Sequence, residues 1–114
     1  MNLRFVLAEQ WERSHHEFEA SILQYRIDCR LSPIGLERLG SVIERGPARL
    51  ALESADEPDE QGWTRLRLPA EQFGHATVEV MSLAPEIEVL GPPELVQWVL
   101  DTAARMAAMH GRSP

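Results

Sequence analysis

The chain of 114 residues contains no lysine, a single cysteine, few aromatic residues and no long apolar run. All eleven basic residues are arginine. Codon bias alone can produce this imbalance, whereas a functional cause would require the arginines to cluster in space. The single Cys29 excludes an internal disulfide and is typical of a reducing compartment. No apolar stretch is long enough to span a membrane, and residues 1–10 lack the basic and apolar regions of a signal peptide. We therefore expect a cytoplasmic protein.

Composition indicates one soluble globular domain. Hydrophobic residues make up 44% and charged residues 25% of the chain, which are ordinary values for a globular protein. A chain of this length buries enough surface to fold without a metal or a disulfide. The net charge of −7 opposes a general affinity for nucleic acid, so any such contact would need a local cluster of arginines.

Apolar spacing and proline positions predict the helices and strands. Residues 7–23 carry apolar side chains at helical spacing, which predicts an amphipathic helix. Residues 25–31 alternate apolar and polar side chains, which is typical of a half-buried strand. Ser32 and Pro33 supply the N-cap and first position of the next helix. Further strands are predicted at 48–53, 63–68 and 86–90, and further helices after Pro69 and Pro92.

The order of these elements predicts an α+β fold of the ferredoxin-like β-α-β-β-α-β type, with one extra helix at each end. The expected strand order is 4-1-3-2. The division is an N-terminal linker helix over 1–24, the ferredoxin-like domain over 25–111, and a tail over 112–114. The acidic stretch 53–62 is predicted to be a solvated hairpin loop. Gly-Pro-Pro at 91–93 is predicted to be a structural corner, because the prolines have no N–H to offer an anion.

Four segments, in this order, resemble the C-terminal extension (WCX domain) of WYL-domain bacterial transcriptional regulators. They are AEQWERSHHEFEA (8–20), YRIDCRLSPIGLERL (25–39), GWTRLRLP (62–69) and PEIEVLGPPEL (85–95). The resemblance implies a non-catalytic domain that dimerises and assists the sensing of a nucleic acid or nucleotide ligand. Such regulators also carry a helix-turn-helix and a WYL domain, and neither is recognisable here. We therefore expect a fragment of a larger regulator or a shortened reading frame, and promoter binding does not carry over.

The polar side of the predicted sheet is the candidate ligand site. If the apolar residues of each strand face the helices, the opposite face gathers several arginines and Trp63. An anionic ligand would bind the arginines, and a base would stack on Trp63. Three alternatives remain open: Asp28, Glu86 and Glu88 pair with the arginines across the strands, the N-terminal helix lies over part of the face, or a protein partner covers it. The candidate binding residues are Arg26, Arg30, Arg49, Trp63, Arg65 and Arg67.

The sequence favours a protein that is not an enzyme and binds no metal or cofactor. His15, His16 and Glu19 are close on the predicted first helix, but they leave a metal coordination shell incomplete. Cys29 shares the apolar side of its strand, which indicates a buried structural thiol. We expect a homodimer formed through apolar helices. The alternative function is a free-standing, ACT-like module of the same topology that binds a small molecule.

Overall fold

The computed structural model describes residues 25–111, which form an α+β fold with a three-stranded antiparallel sheet and four helices. The strands are β1 (Tyr25–Leu31), β2 (Thr64–Ala70) and β3 (Ile87–Gly91), and the helices are α1 (Pro33–Val42), α2 (Arg45–Glu53), α3 (Phe73–Leu83) and α4 (Pro93–His110). The predicted linker helix, with His15, His16 and Glu19, and the predicted tail lie outside the described residues.

Strand β1 occupies the centre of the sheet, in the order β2-β1-β3. Its apolar residues Ile27, Cys29 and Leu31 are fully buried, as the alternation in the sequence predicts. Cys29 lies opposite Leu66 on β2 and Val89 on β3, which fixes the register on both sides. A slip by one residue would turn all three apolar side chains to the open face, so burial specifies this pairing.

The predicted strand over 48–53 is wrong, because this segment belongs to helix α2. Pro47, Ala48 and Ala51 are its buried residues, and their spacing is that of one helix face. Pro47 is tolerated in the first turn, where its missing N–H has no intrahelical partner to lose. Helix α2 and residues 54–56 therefore run along the outer edge of β2, and the described part of the chain lacks the fourth strand of the ferredoxin-like order.

The sequence predicted that Pro69 opens a helix. In the structure, Pro69 instead lies within β2. The backbone groups of Arg65 and Arg67 point away from β1, since Asp56 N–H donates to Arg65 O (2.9 Å) and Arg67 N–H donates to Ser54 Oγ (2.9 Å). Pro69 has the same parity as these two residues. Its missing N–H therefore removes no bond to β1, which is why proline is acceptable here.

Helices α1 and α3 cover one face of the sheet and form the core with it. The first residues of α4 complete this core through the buried Leu95. The fully buried large side chains are Ile27, Leu31, Leu39, Leu66, Leu68, Leu83 and Leu95. The opposite face of the sheet carries the polar residues of the strands, and this face is the candidate site.

Ser32 joins the end of β1 to the start of β3. Its N–H donates to Glu86 O (3.0 Å), and its hydroxyl donates to the Glu86 carboxylate. The same hydroxyl accepts from Gly35 N–H (3.0 Å), so the predicted N-cap of α1 is confirmed. A Cβ atom on Gly35 would lie 2.6 Å from Glu86 O. The Ser-Pro-x-Gly and Pro-Glu segments of the sequence therefore form one tightly packed junction.

Candidate functional site on the open sheet face

The register of β1 and β2 sets two arginines against each other on the open face. Arg30 lies directly opposite Arg65, an arrangement that costs stability unless each charge finds a partner. Arg65 turns towards Asp28 and donates two hydrogen bonds, Nε to Oδ1 at 3.1 Å and Nη2 to Oδ2 at 2.7 Å. This bidentate contact lowers the pKa of the Asp28 carboxyl. The repulsion between the two arginines is thereby relieved on the β2 side.

Arg30 is anchored on the other side by three acceptors. Its Nε donates to Glu88 Oε1 on β3 (2.9 Å), and its Nη1 donates to Asp59 Oδ2 (2.9 Å) and Gln61 Oε1 (2.8 Å). The guanidinium carbon also lies 4.9 Å from the centre of the Trp63 ring, a cation–π contact. Arg30 therefore ties the loop before β2 to the sheet, and its donors are occupied by the protein itself.

The acidic stretch before β2 is largely exposed, as the sequence predicted, but it joins α2 to β2 instead of forming a hairpin between two strands, and it contains an ordered turn. Asp59 Oδ1 accepts from the backbone N–H groups of Gln61 (2.9 Å) and Trp63 (3.0 Å). Gly62 has a φ of 81°, a left-handed conformation that glycine adopts without strain. An aspartate followed three residues later by glycine is a turn signal, and it was available in the sequence. The sequence did not identify Asp59 and Gln61 as hydrogen-bond partners of Arg30.

The remaining candidate residues are not brought into one cluster. Arg49 lies on α2, where its Nε is 3.9 Å from Glu53 Oε1 one turn later, so it does not line the sheet. Arg26 and Arg67 do lie on the open face, as diagonal neighbours across β1 and β2. Within residues 25–111, neither of their guanidinium groups makes a hydrogen bond or an ion pair. With respect to residues 25–111, these two arginines are therefore the cations of the face that are open to a ligand.

A polar cleft of about 280 Å³ opens beside β2, between the strand and the segment that follows α2. The cleft is lined by Asp28, Ser54, Asp56, Arg65, Leu66 and Arg67. Two arginines and two aspartates balance each other in charge, and the Arg65–Asp28 pair forms one wall. The cleft therefore lacks the strong positive field of a general nucleic-acid surface.

Cys29 lies in the core, as predicted, and not at the open face. Its side chain is fully buried, and its Sγ is 3.8 Å from Leu66 O. Burial raises the pKa of the thiol to about 12, so it stays protonated and is a poor nucleophile.

Within the described range, no helix is long and apolar enough to cross a membrane.

Comparison with known proteins identifies the family of this chain. A search of curated proteins and a search of solved structures gave no match. The family model of the WCX domain matches residues 23–107, a range that includes all three strands of the sheet and most of α4. The resemblance found in the four sequence segments is thereby confirmed. The chain belongs to the WCX domain family, whose members are regulatory domains associated with WYL-type transcriptional regulators.

Proposed function

We propose that this chain is a non-catalytic regulatory domain that pairs with a second copy through α4 and receives a small anionic ligand on its open sheet face. Family membership supports the regulatory role, since WCX domains accompany transcriptional regulators. The observation that carries the pairing is an exposed apolar stripe on the last turns of α4.

Within residues 25–111, only the start of α4 packs against the core. Leu95 is buried in the core, and Trp98 and Val99 pack against it. From Ala103 onward every residue of the helix is exposed, and Leu100 and Met106 are 59% and 41% accessible. Exposed methionine and leucine side chains on a helix that projects past the core are typical of an interaction surface.

The spacing of these residues is that of paired helices. Val96, Ala103 and His110 are seven residues apart, and Met106 follows Val99 at the same interval. A seven-residue repeat keeps one seam facing a neighbouring helix along its length. Ala103 at the middle of the seam permits close approach of two backbones. The exposed stripe is formed by Leu100, Ala103, Met106, Ala107 and His110.

A second copy is the partner that fits this stripe. Two identical stripes meet around a two-fold axis, so one surface satisfies both subunits, as in most homodimers. The apolar positions predicted in residues 7–23 offer another way to cover α4, within one chain. The two arrangements differ in mass, since self-covering leaves a monomer of 12.9 kDa.

Sedimentation over a range of protein concentrations tests the pairing. We expect the native chain to be a dimer and the double variant Leu100→Glu/Met106→Glu to be a monomer with an unchanged circular dichroism spectrum. Val78→Glu is the matched control, because Val78 is 64% exposed on α3 but lies off the stripe. A monomeric native chain, or dissociation in the control as well, would contradict pairing through α4.

The arginines of the open face favour the binding of a ligand of about nucleotide size. Arg67 lies in the cleft, and Arg26 is its diagonal neighbour, so a phosphate group can contact both guanidinium groups. The surrounding aspartates and glutamates oppose a long polyanion. We therefore favour a nucleotide or a short single strand over duplex nucleic acid.

Titration of labelled nucleotides, a short single strand and a duplex at two salt concentrations tests this site. We expect the smaller ligands to bind, and binding to fall at least tenfold in Arg67→Ala. Arg105→Ala on α4 removes an exposed positive charge elsewhere and should retain binding. Absence of binding at low salt, or equal loss in both variants, would remove the ligand role and leave the pairing role intact.

A further inference from the structure

A buried acidic side chain in α3 has no part in the proposed function. Glu79 is only 4% exposed, and its Oε2 has no hydrogen-bond partner. The other oxygen, Oε1, lies 3.6 Å from Nε2 of His75, one turn earlier in the same helix. Burial of an unpartnered carboxylate is costly when the group is charged and much less so when it is protonated. The observed packing therefore suits the neutral acid.

The groups around Glu79 come from every side of its environment. His75 approaches from α3 itself, Glu71 from the connection after β2, and Glu44 from the junction between α1 and α2. On β1, the buried Cys29 thiol is near enough that the charge of Glu79 helps to raise its pKa. Burial, and then the negative charges of Glu44 and Glu71, raise the pKa of Glu79 to about 7. All of these effects favour the protonated form of the group.

His75 is oriented towards Glu79 by the backbone. Its Nδ1 accepts from Glu71 N–H at 3.5 Å, and its Nε2 faces Glu79 Oε1 at 3.6 Å, which is longer than a hydrogen bond. Oε2 has no hydrogen-bond partner among the described residues. The protein therefore solvates an ionised Glu79 poorly, and water must reach the carboxylate when it loses its proton.

We propose that Glu79 is a proton-controlled latch that holds α3 against the junction of α1 and α2. While the carboxyl is protonated, α3 stays packed against the core. When the proton leaves to solvent, the first turns of α3 open so that the carboxylate is hydrated. The latch requires only a buried acid with an unpartnered oxygen and a helix end that can move.

The sign of the effect follows from the change in proton affinity. The closed form binds the proton more tightly than an exposed glutamate, whose ordinary pKa is 4.5. Closure is therefore most favourable at acid pH, weakens as the pH rises from about 4.5 to about 7, and stays at its weakest above that. Between pH 6 and pH 8 the equilibrium constant for opening should rise by about tenfold.

Hydrogen exchange measured by NMR at pH 6 and pH 8, corrected for the chemical exchange rate, tests the latch on the native chain. We expect about a tenfold rise in opening for the amides of α3 and a smaller change for β1. Glu79→Gln should abolish the rise, because its amide cannot ionise. Glu37→Gln on the exposed side of α1 is the control and should keep it.

A carboxyl-carbon titration of the native chain decides the question even if Glu79→Gln fails to fold. A Glu79 midpoint near 7 supports the latch. A midpoint near 4.5, or an equal rise in exchange in native chain and Glu79→Gln, would overturn it.

Discussion

Replacement of Gly35 by alanine tests the junction of β1, α1 and β3. Alanine is favoured over glycine inside a helix by about 1 kcal/mol, so helix propensity alone predicts a more stable protein. The structure leads to the opposite expectation. The added Cβ would lie 2.6 Å from Glu86 O and 3.2 Å from Leu31 Cβ, and neither atom belongs to the flexible end of a side chain. The backbone of α1 or of the segment before β3 must therefore move.

The size of the effect follows from what that movement disturbs. Overpacking of a close-packed site typically costs about 1–3 kcal/mol. Displacement of Glu86 also strains its hydrogen bond from Ser32 N–H, which contributes about 1 kcal/mol. After subtraction of the gain in helix propensity, we expect a net loss of about 2 kcal/mol. For a domain of this size, this loss lowers the Tm by about 8–16 °C.

Thermal unfolding followed by circular dichroism measures the effect, and the same helix supplies the control. A Cβ on Gly40 meets no heavy atom within 4 Å, so Gly40→Ala should gain up to about 1 kcal/mol and raise the Tm by a few degrees. The two substitutions are chemically identical and should act with opposite signs. A Gly35→Ala protein as stable as Gly40→Ala would refute the close contact between α1 and the start of β3.

Two further outcomes are expected from the described contacts. Arg30→Gln removes the ion pairs to Asp59 and Glu88, so the loop before β2 should exchange its amide hydrogens faster and the fluorescence of Trp63 should shift to longer wavelength; an unchanged loop would show that Arg30 does not anchor it. Cys29 should react with a thiol reagent at pH 8 only after unfolding in urea, because the thiol is buried and protonated; rapid reaction of the native chain would contradict its place in the core.

Several elements could be predicted because their signals are local. Strict alternation identifies β1, and Ile27, Cys29 and Leu31 of that alternation are buried. Ser32 and Pro33 mark the start of α1, and both the cap and the proline occupy the expected positions. The long apolar period after Pro93 identifies α4. In each case, adjacent residues alone decide the conformation, so tertiary contacts reinforce what the chain already favours.

The segment 48–53 could not be assigned from the same signals. Its residues do not alternate strictly between apolar and polar, and Ala48 and Ala51 are spaced like one face of a helix. A Gly-Pro pair such as Gly46-Pro47 is typical of the end of a helix, whereas Pro47 lies in the first turn of the next one. Burial of the two alanines decides between the two conformations, and that burial depends on the distant strand β2.

The arginine-rich face was predictable in part. The parity of β1 and β2 correctly places Arg26, Arg30, Arg65 and Arg67 on one side of the sheet. The partners of Arg30 could not be found in this way, because Asp59 and Gln61 lie 29 and 31 residues away in an acidic stretch that resembles a solvated loop. An arginine cluster is thus identifiable from sequence, whereas its neutralisation depends on how a loop folds back.

Disulfide cross-linking at α4 tests the proposed pairing most directly. The native Cys29 is buried, so a cysteine introduced on α4 is the reactive thiol among the described residues. Ala103→Cys places it at the middle of the exposed stripe, and Asp101→Cys places it on the opposite side of the same helix. We expect mild oxidation to convert Ala103→Cys, but not Asp101→Cys, into a covalent dimer. Equal cross-linking of the two variants, or none in either at concentrations where the chain sediments as a dimer, would contradict assembly through this stripe.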